Sequence, residues 1–208
     1  MHLQCVFLTY KFSGTIPTRI GNLNRLAYFD ISDNSYSGTI PEKLVSPIYM
    51  NAYIFQTFTA HGNRLSGTIP STIGLLTNLL VFDVGQNQLN GTIPSELGDL
   101  KQLGYLDASY NSLMGTLPHS LGQLLLAKYF LVNNNKLNGH IPKSLSALTL
   151  LREFFVSSNL FSGRFETLFN GSFPSSLLKL ALYDNGTYVR TYRALIPYAT
   201  NIHRIAQY

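Results

Sequence analysis

The chain has 208 residues, 45% hydrophobic and 12% charged, with one cysteine and a formal net charge of +5. That hydrophobic share excludes a disordered chain, the single cysteine excludes an internal disulfide, and no run approaches the ~18 apolar residues of a membrane span. Residues 1–107 carry 6 Lys/Arg against 7 Asp/Glu, whereas residues 108–208 carry 9 against 3. A basic half suits an acidic partner or an anionic polysaccharide, and it serves equally as a solubilising surface. No basic-aromatic motif of a nucleic-acid module occurs, so nucleic acid is not an expected partner.

In chain order, Cys5, Phe7 and Tyr10 hold the places of two strand apolars and a closing polar residue, ahead of Gly14-Thr15-Ile16-Pro17. That string or a near variant begins again at Gly38, Gly67, Gly91, Gly115 and Gly139, and weakly at Gly163, in steps of 24, 29, 24, 24, 24 and 24 residues. Four residues before each of these glycines from Gly38 onward stands an asparagine: Asn34, Asn63, Asn87, Asn111, Asn135 and Asn159. Apolar residues precede each Asn by five and three places, as in Phe82/Val84 and Phe130/Val132. Period-two alternation repeated at a fixed phase predicts one short, half-buried strand per turn of a solenoid. The closing Asn is expected at a turn, satisfying backbone groups that no strand ladder reaches. Glycine there permits a tight change of direction, and proline presets the backbone.

Two departures stand out. Five extra residues fall within Leu44–Phe58 and are expected to bulge from the convex side. After Gly163 the spacing breaks, and Gly171-Ser172-Phe173-Pro174 reads as a displaced copy. Residues 1–185 are therefore read as one array of about seven to eight coils, the first incomplete, and residues 186–208 as a C-terminal cap or tail. Because Met1 falls inside a coil and leaves a solenoid end without a polar cap, the natural protein is expected to extend further N-terminally.

The block Leu103-x-x-Leu106-x-Ala108-x-x-Asn111-x-Leu113-x-Gly115-x-Leu117-Pro118-x-x-Leu121-Gly122-x-Leu124 resembles the plant-type leucine-rich repeat. That subclass occurs in receptor-like kinase and receptor-like protein ectodomains and in polygalacturonase inhibitors. The resemblance implies an α/β-class, right-handed solenoid with a parallel sheet on the concave face and short 3-10 or irregular segments on the convex side. It also implies ligand binding on the concave or lateral face.

Outward strand positions six, four and two before each Asn should line that face. Among them Tyr105, Tyr129, Leu131 and Phe155, with Tyr110 nearby, form the candidate ligand-binding patch, since exposed aromatics on a rigid sheet are common anchors. Asp83 and Asp107 should be neighbours, an arrangement open to a paired acid or a metal site but equally to a structural role. His61 lies near them, yet no Ser or Cys nucleophile with an orienting base converges there and the five histidines lack metal-ligand spacing. No catalytic residue, metal or cofactor is therefore expected. Thr15, Thr39, Thr68, Thr92 and Thr116 form a ladder that could meet ice or a polysaccharide lattice. Asn90, Asn170 and Asn185 are candidate glycosylation sites, about as many as chance would supply in so Asn-, Ser- and Thr-rich a chain.

The leading expectation is a non-catalytic recognition module, part of an extracellular or cell-surface receptor-like protein, for a protein, peptide or glycan ligand and with a co-receptor as a further partner. A secreted inhibitor of a hydrolase such as a polygalacturonase, and an ice- or polysaccharide-surface binder, are the alternatives.

Overall fold

A computed structural model describes residues 3–6, 11–23, 25–44, 54–163 and 174–182. The expected convex bulge and terminal cap, and Asn170 and Asn185, lie outside these residues.

Among the described residues each coil but the last contributes two strands. In chain order they are β1 (Leu3–Val6), β2 (Ser13–Thr15), β3 (Leu26–Asp30), β4 (Ser35–Thr39), β5 (Thr57–Thr59), β6 (Arg64–Gly67), β7 (Val81–Asp83) and β8 (Gln88–Leu89). Then follow β9 (Tyr105–Asp107), β10 (Met114–Gly115), β11 (Tyr129–Leu131), β12 (Lys136–His140), β13 (Glu153–Phe155), β14 (Leu160–Ser162) and β15 (Lys179–Ala181). The odd-numbered strands build one eight-stranded, wholly parallel sheet in sequence order. Cys5 pairs with Phe29, the register assigned to it, while Phe7 and Tyr10 lie outside the described residues; Phe29 pairs with Phe58 despite the intervening insertion.

A parallel ladder closes only if each coil returns to the same place. Buried side chains hold it there: in one coil Leu76, Leu79, Phe82, Val84, Leu89, Ile93 and Leu97 are all 3% exposed or less. Burying each such side chain is worth about 1.5–3 kcal/mol relative to leaving it in water. Along the array the phenylalanines stack as a spine, with ring centroids 5.4 Å apart for Phe29–Phe58, 5.7 Å for Phe58–Phe82 and 5.4 Å for Phe130–Phe154. Leu106 fills the step between Phe82 and Phe130.

Outside the sheet, Pro70 (φ −70°) and Pro94 (φ −71°) lead into the 3-10 turns Ser71–Leu75 and Ser95–Asp99. Their carbonyls accept from Ile73 N at 3.1 Å and Leu97 N at 3.2 Å. Glycine at position 74 answers to crowding, since a Cβ there would stand 2.5 Å from the Glu96 carbonyl oxygen of the next coil. Among the described residues all helical segments are of this short 3-10 kind.

The even-numbered strands form two further parallel sheets, β2-β4-β6-β8 and β10-β12-β14, where the repeat pattern suggested only glycine turns. A contact between successive coils accompanies them. At Gly91 the chain takes φ +70°, and a Cβ on residue 91 would stand 2.7 Å from the Thr68 methyl. The threonine ladder thus packs its methyls beneath the glycines of the next coil, while Thr15, Thr39, Thr68, Thr92 and Thr116 stay exposed.

Candidate functional site

The asparagines join neighbouring coils. Asn111 donates from Nδ2 to the carbonyls of Val84 (3.0 Å), Ala108 (3.3 Å) and Ser109 (3.0 Å), and its Oδ1 accepts from Leu89 N at 2.8 Å. Asn135 repeats the set one coil later, donating to Ala108, Val132 and Asn133 and accepting from Leu113 N. Asn87 does the same on Ala60, Val84, Gly85 and Leu65 N. Ala108 O and Val84 O each therefore receive two amides, one from their own coil and one from the next. Asn34, Asn63 and Asn159 are buried at equivalent places. A rigid edge to the concave sheet follows.

On that sheet, parallel register sets equivalent positions side by side. Tyr129 pairs with Tyr105 on one side and Glu153 on the other, and Leu131 pairs with Asp107 and Phe155. The Tyr105 and Tyr129 rings lie 5.4 Å apart, tilted by 42°. Tyr105, Tyr129, Leu131 and Phe155 are all half-buried, so they form one continuous apolar stripe with accessible faces. Tyr110 is 53% exposed but stands off the strand, in a left-handed turn at φ +52°. It belongs to a column with Asp33, Gly62, Gln86, Asn134 and Ser158, all at positive φ between 51° and 64°. Glu153 carries its own counter-charge, Lys179 Nζ, at 2.6 Å.

Several positions two before an Asn are less open than expected. Ser109, Asn133 and Ser157 are 5%, 9% and 2% exposed, because the chain turns immediately after them and folds them against adjoining coils. His61 and Gly85 share this column. His61 Nδ1 lies 3.1 Å from Asp83 Oδ1, and Asp83 Oδ1 also accepts from Gly85 N at 3.0 Å. Asp107 is only 5% exposed, and its Oδ1 accepts from Ser109 N at 2.8 Å. Burial first, and then the Asp107 carboxylate, push the Asp83 carboxyl above its ordinary range, against the opposing pull of Gly85 N–H and His61. Burial likewise raises the Tyr105 phenol, whose hydroxyl bonds to Asp107 and which Asp107, Asp83 and Glu153 surround with negative charge. The neighbourhood of the two aspartates is legible in the repeat; the depth of Asp107 and the part played by Gly85 are not.

Asn90 is exposed, beside the Gly91 turn.

The Leucine Rich Repeat family model matches residues 78–100 and 102–124. Receptor-like protein 13 of Arabidopsis thaliana is 32% identical over 84 residues, 40% of this chain and 8% of that protein. Among solved structures, the plant peptide hormone receptor RGFR1 in complex with RGF2 superposes with a TM-score of 0.73 at 32% identity, over 83% of this chain and 27% of that one. The LRR ectodomain of the Arabidopsis receptor kinase HAESA, in complex with an IDA peptide hormone ligand, gives 0.76 at 28% identity, over 84% and 29%. A TDR receptor gives 0.76 at 32% identity, over 84% and 29%. The chain thus spans under a third of the length of each of these relatives. Its repeated coils and parallel concave sheet form a leucine-rich-repeat solenoid, similar to the ectodomains of plant receptors.

Proposed function

We infer that the chain is a non-catalytic recognition segment of an extracellular receptor-like protein and that it binds a peptide along the concave stripe Tyr105–Tyr129–Leu131–Phe155. The observation carrying this reading is the stripe itself. Four large, half-buried side chains sit on three adjacent strands of a sheet braced by the asparagine ladder. A face held this way loses little freedom on binding, so contact with the rings is retained as affinity. Solved relatives are complexes with peptide hormones, RGF2 and IDA among them, and HAESA is also solved with the co-receptor SERK1. A co-receptor is accordingly the further partner, and Tyr110, at the rim, is a contact for either.

The test is selection of a phage-displayed random peptide library on the folded chain, followed by titration of the selected peptides on variants. Tyr129→Ala with Phe155→Ala should cost about 4 kcal/mol, roughly a thousandfold in Kd, at two anchors of about 2 kcal/mol each. Leu125→Ala, an exposed side chain (55%) outside the concave sheet, should leave binding unchanged. Selected peptides that bind the double variant as tightly as the parent would refute this use of the stripe.

A further inference from the structure

Three donor atoms from successive coils converge beside the aromatic stripe. A His61 ring nitrogen and one carboxylate oxygen each of Asp83 and Asp107 all lie within 4.8 Å of one another. Strand register makes this convergence: Asp83 of β7 pairs with Asp107 of β9, and His61 follows β5, whose Thr59 pairs with Asp83. The residue between His61 and Ser109 in its column is Gly85. A Cβ on Gly85 would stand 2.9 Å from both His61 Nδ1 and Asp107 Oδ1. Absence of that side chain keeps a notch open between the donors, where the same column elsewhere carries Ser32, Asn133 or Ser157.

The charge balance points the same way. Asp107 is 5% exposed and the Asp83 side chain 14%, and two ionised carboxylates this close repel. Among the described residues neither is paired with a lysine or arginine; the ion pairs there are His61–Asp83 and Lys179–Glu153. Both carboxylates are nevertheless held in place, Asp83 by Gly85 N–H, and Asp107 by Ser109 N–H and the Tyr105 hydroxyl. Such outer hydrogen bonds orient metal ligands and raise their grip.

We propose that His61, Asp83 and Asp107 form a binding site for a divalent transition-metal ion, zinc being the ion best matched. A mixed nitrogen and oxygen donor set suits zinc and its first-row neighbours, whereas calcium and magnesium prefer all-oxygen shells. Three protein donors leave a coordination position for water or for an oxygen of a bound ligand.

Isothermal titration of the metal-stripped chain with zinc chloride tests this, with His61→Ala and Asp107→Asn titrated alongside. One equivalent per chain is expected, and each substitution should weaken it by about a hundredfold or more, since losing a ligand costs at least as much as losing an outer partner. Zinc should raise the melting temperature of the parent but not of His61→Ala. Because His61 is partly exposed, that variant keeps the test valid even if Asp107→Asn perturbs folding. Zinc binding unchanged in His61→Ala would assign the ion to surface groups such as His119 or His140 and overturn the proposal, as would the absence of binding in the parent. Peptide selection on the aromatic stripe is read separately and neither result decides the other.

Discussion

Replacing Asn111 with alanine removes three donated hydrogen bonds and one accepted one, yet the damage is unequal across the four partners. Val84 O keeps the amide of Asn87, Ala108 O keeps that of Asn135, and Ser109 O keeps Gln86 N–H at 2.9 Å. Leu89 N–H alone loses the partner it has, Asn111 Oδ1. A buried donor left bare costs about 1–3 kcal/mol, and three shared bonds weakened at fractions of that bring the total to about 3 kcal/mol. For a chain of this size that lowers the melting temperature by roughly 6–12 °C. Asn111→Asp should be worse at neutral pH. It retains an acceptor for Leu89 N–H but turns the donor side into an anion facing three carbonyls. The fold then favours the protonated carboxyl, so its pKa is raised, and the penalty is present above the carboxylate range and relieved as pH falls through it. Urea denaturation followed by far-ultraviolet circular dichroism is the assay, because the chain has no tryptophan. A loss under about 1 kcal/mol for Asn111→Ala, or Asn111→Asp as stable as the parent at pH 7, would refute the shared-ladder reasoning.

Three further outcomes follow from single contacts. Gly74→Ala must displace the Glu96 carbonyl oxygen, 2.5 Å from the new Cβ, and should cost about 1–3 kcal/mol in the same denaturation assay. Burial raises the thiol of half-buried Cys5, so at pH 8 iodoacetamide should alkylate it more slowly in the folded chain than in urea; equal rates would contradict its placement in β1. Secreted from plant cells, the chain should carry a glycan at exposed Asn90, and Asn90→Gln should remove one glycan mass from the intact protein.

Much of this molecule is readable in one dimension because its structure is nearly one-dimensional. A repeat whose step is 24 residues, or 29 across the one insertion, brings like residues beside like, so Phe29, Phe58 and Phe82 could be placed in one column, and Tyr105 beside Tyr129, by counting back from each closing Asn. The same logic set Asp83 next to Asp107. It failed wherever the decisive quantity is a direction or a depth. The second set of parallel sheets goes with threonine methyls seated beneath the next coil's glycines, a contact between coils rather than a motif within one. Tyr110 stands off the sheet because the backbone turns left-handed one residue before Asn111, and residues as unlike as Asp33, Gln86 and Ser158 do the same.

By itself the sequence determined the solenoid, its strand register and its core columns, since these follow from which side chains recur and at what interval. Tertiary structure alone decided that Asp107 is sunk to 5% exposure, that Ser109 and Ser157 are closed off, and that Gly85 leaves a notch between His61 and Asp107. The physical reason is that recurrence assigns each residue a neighbour, whereas burial and donor convergence depend on how far adjacent coils lean together. That lean is set by the whole stack at once.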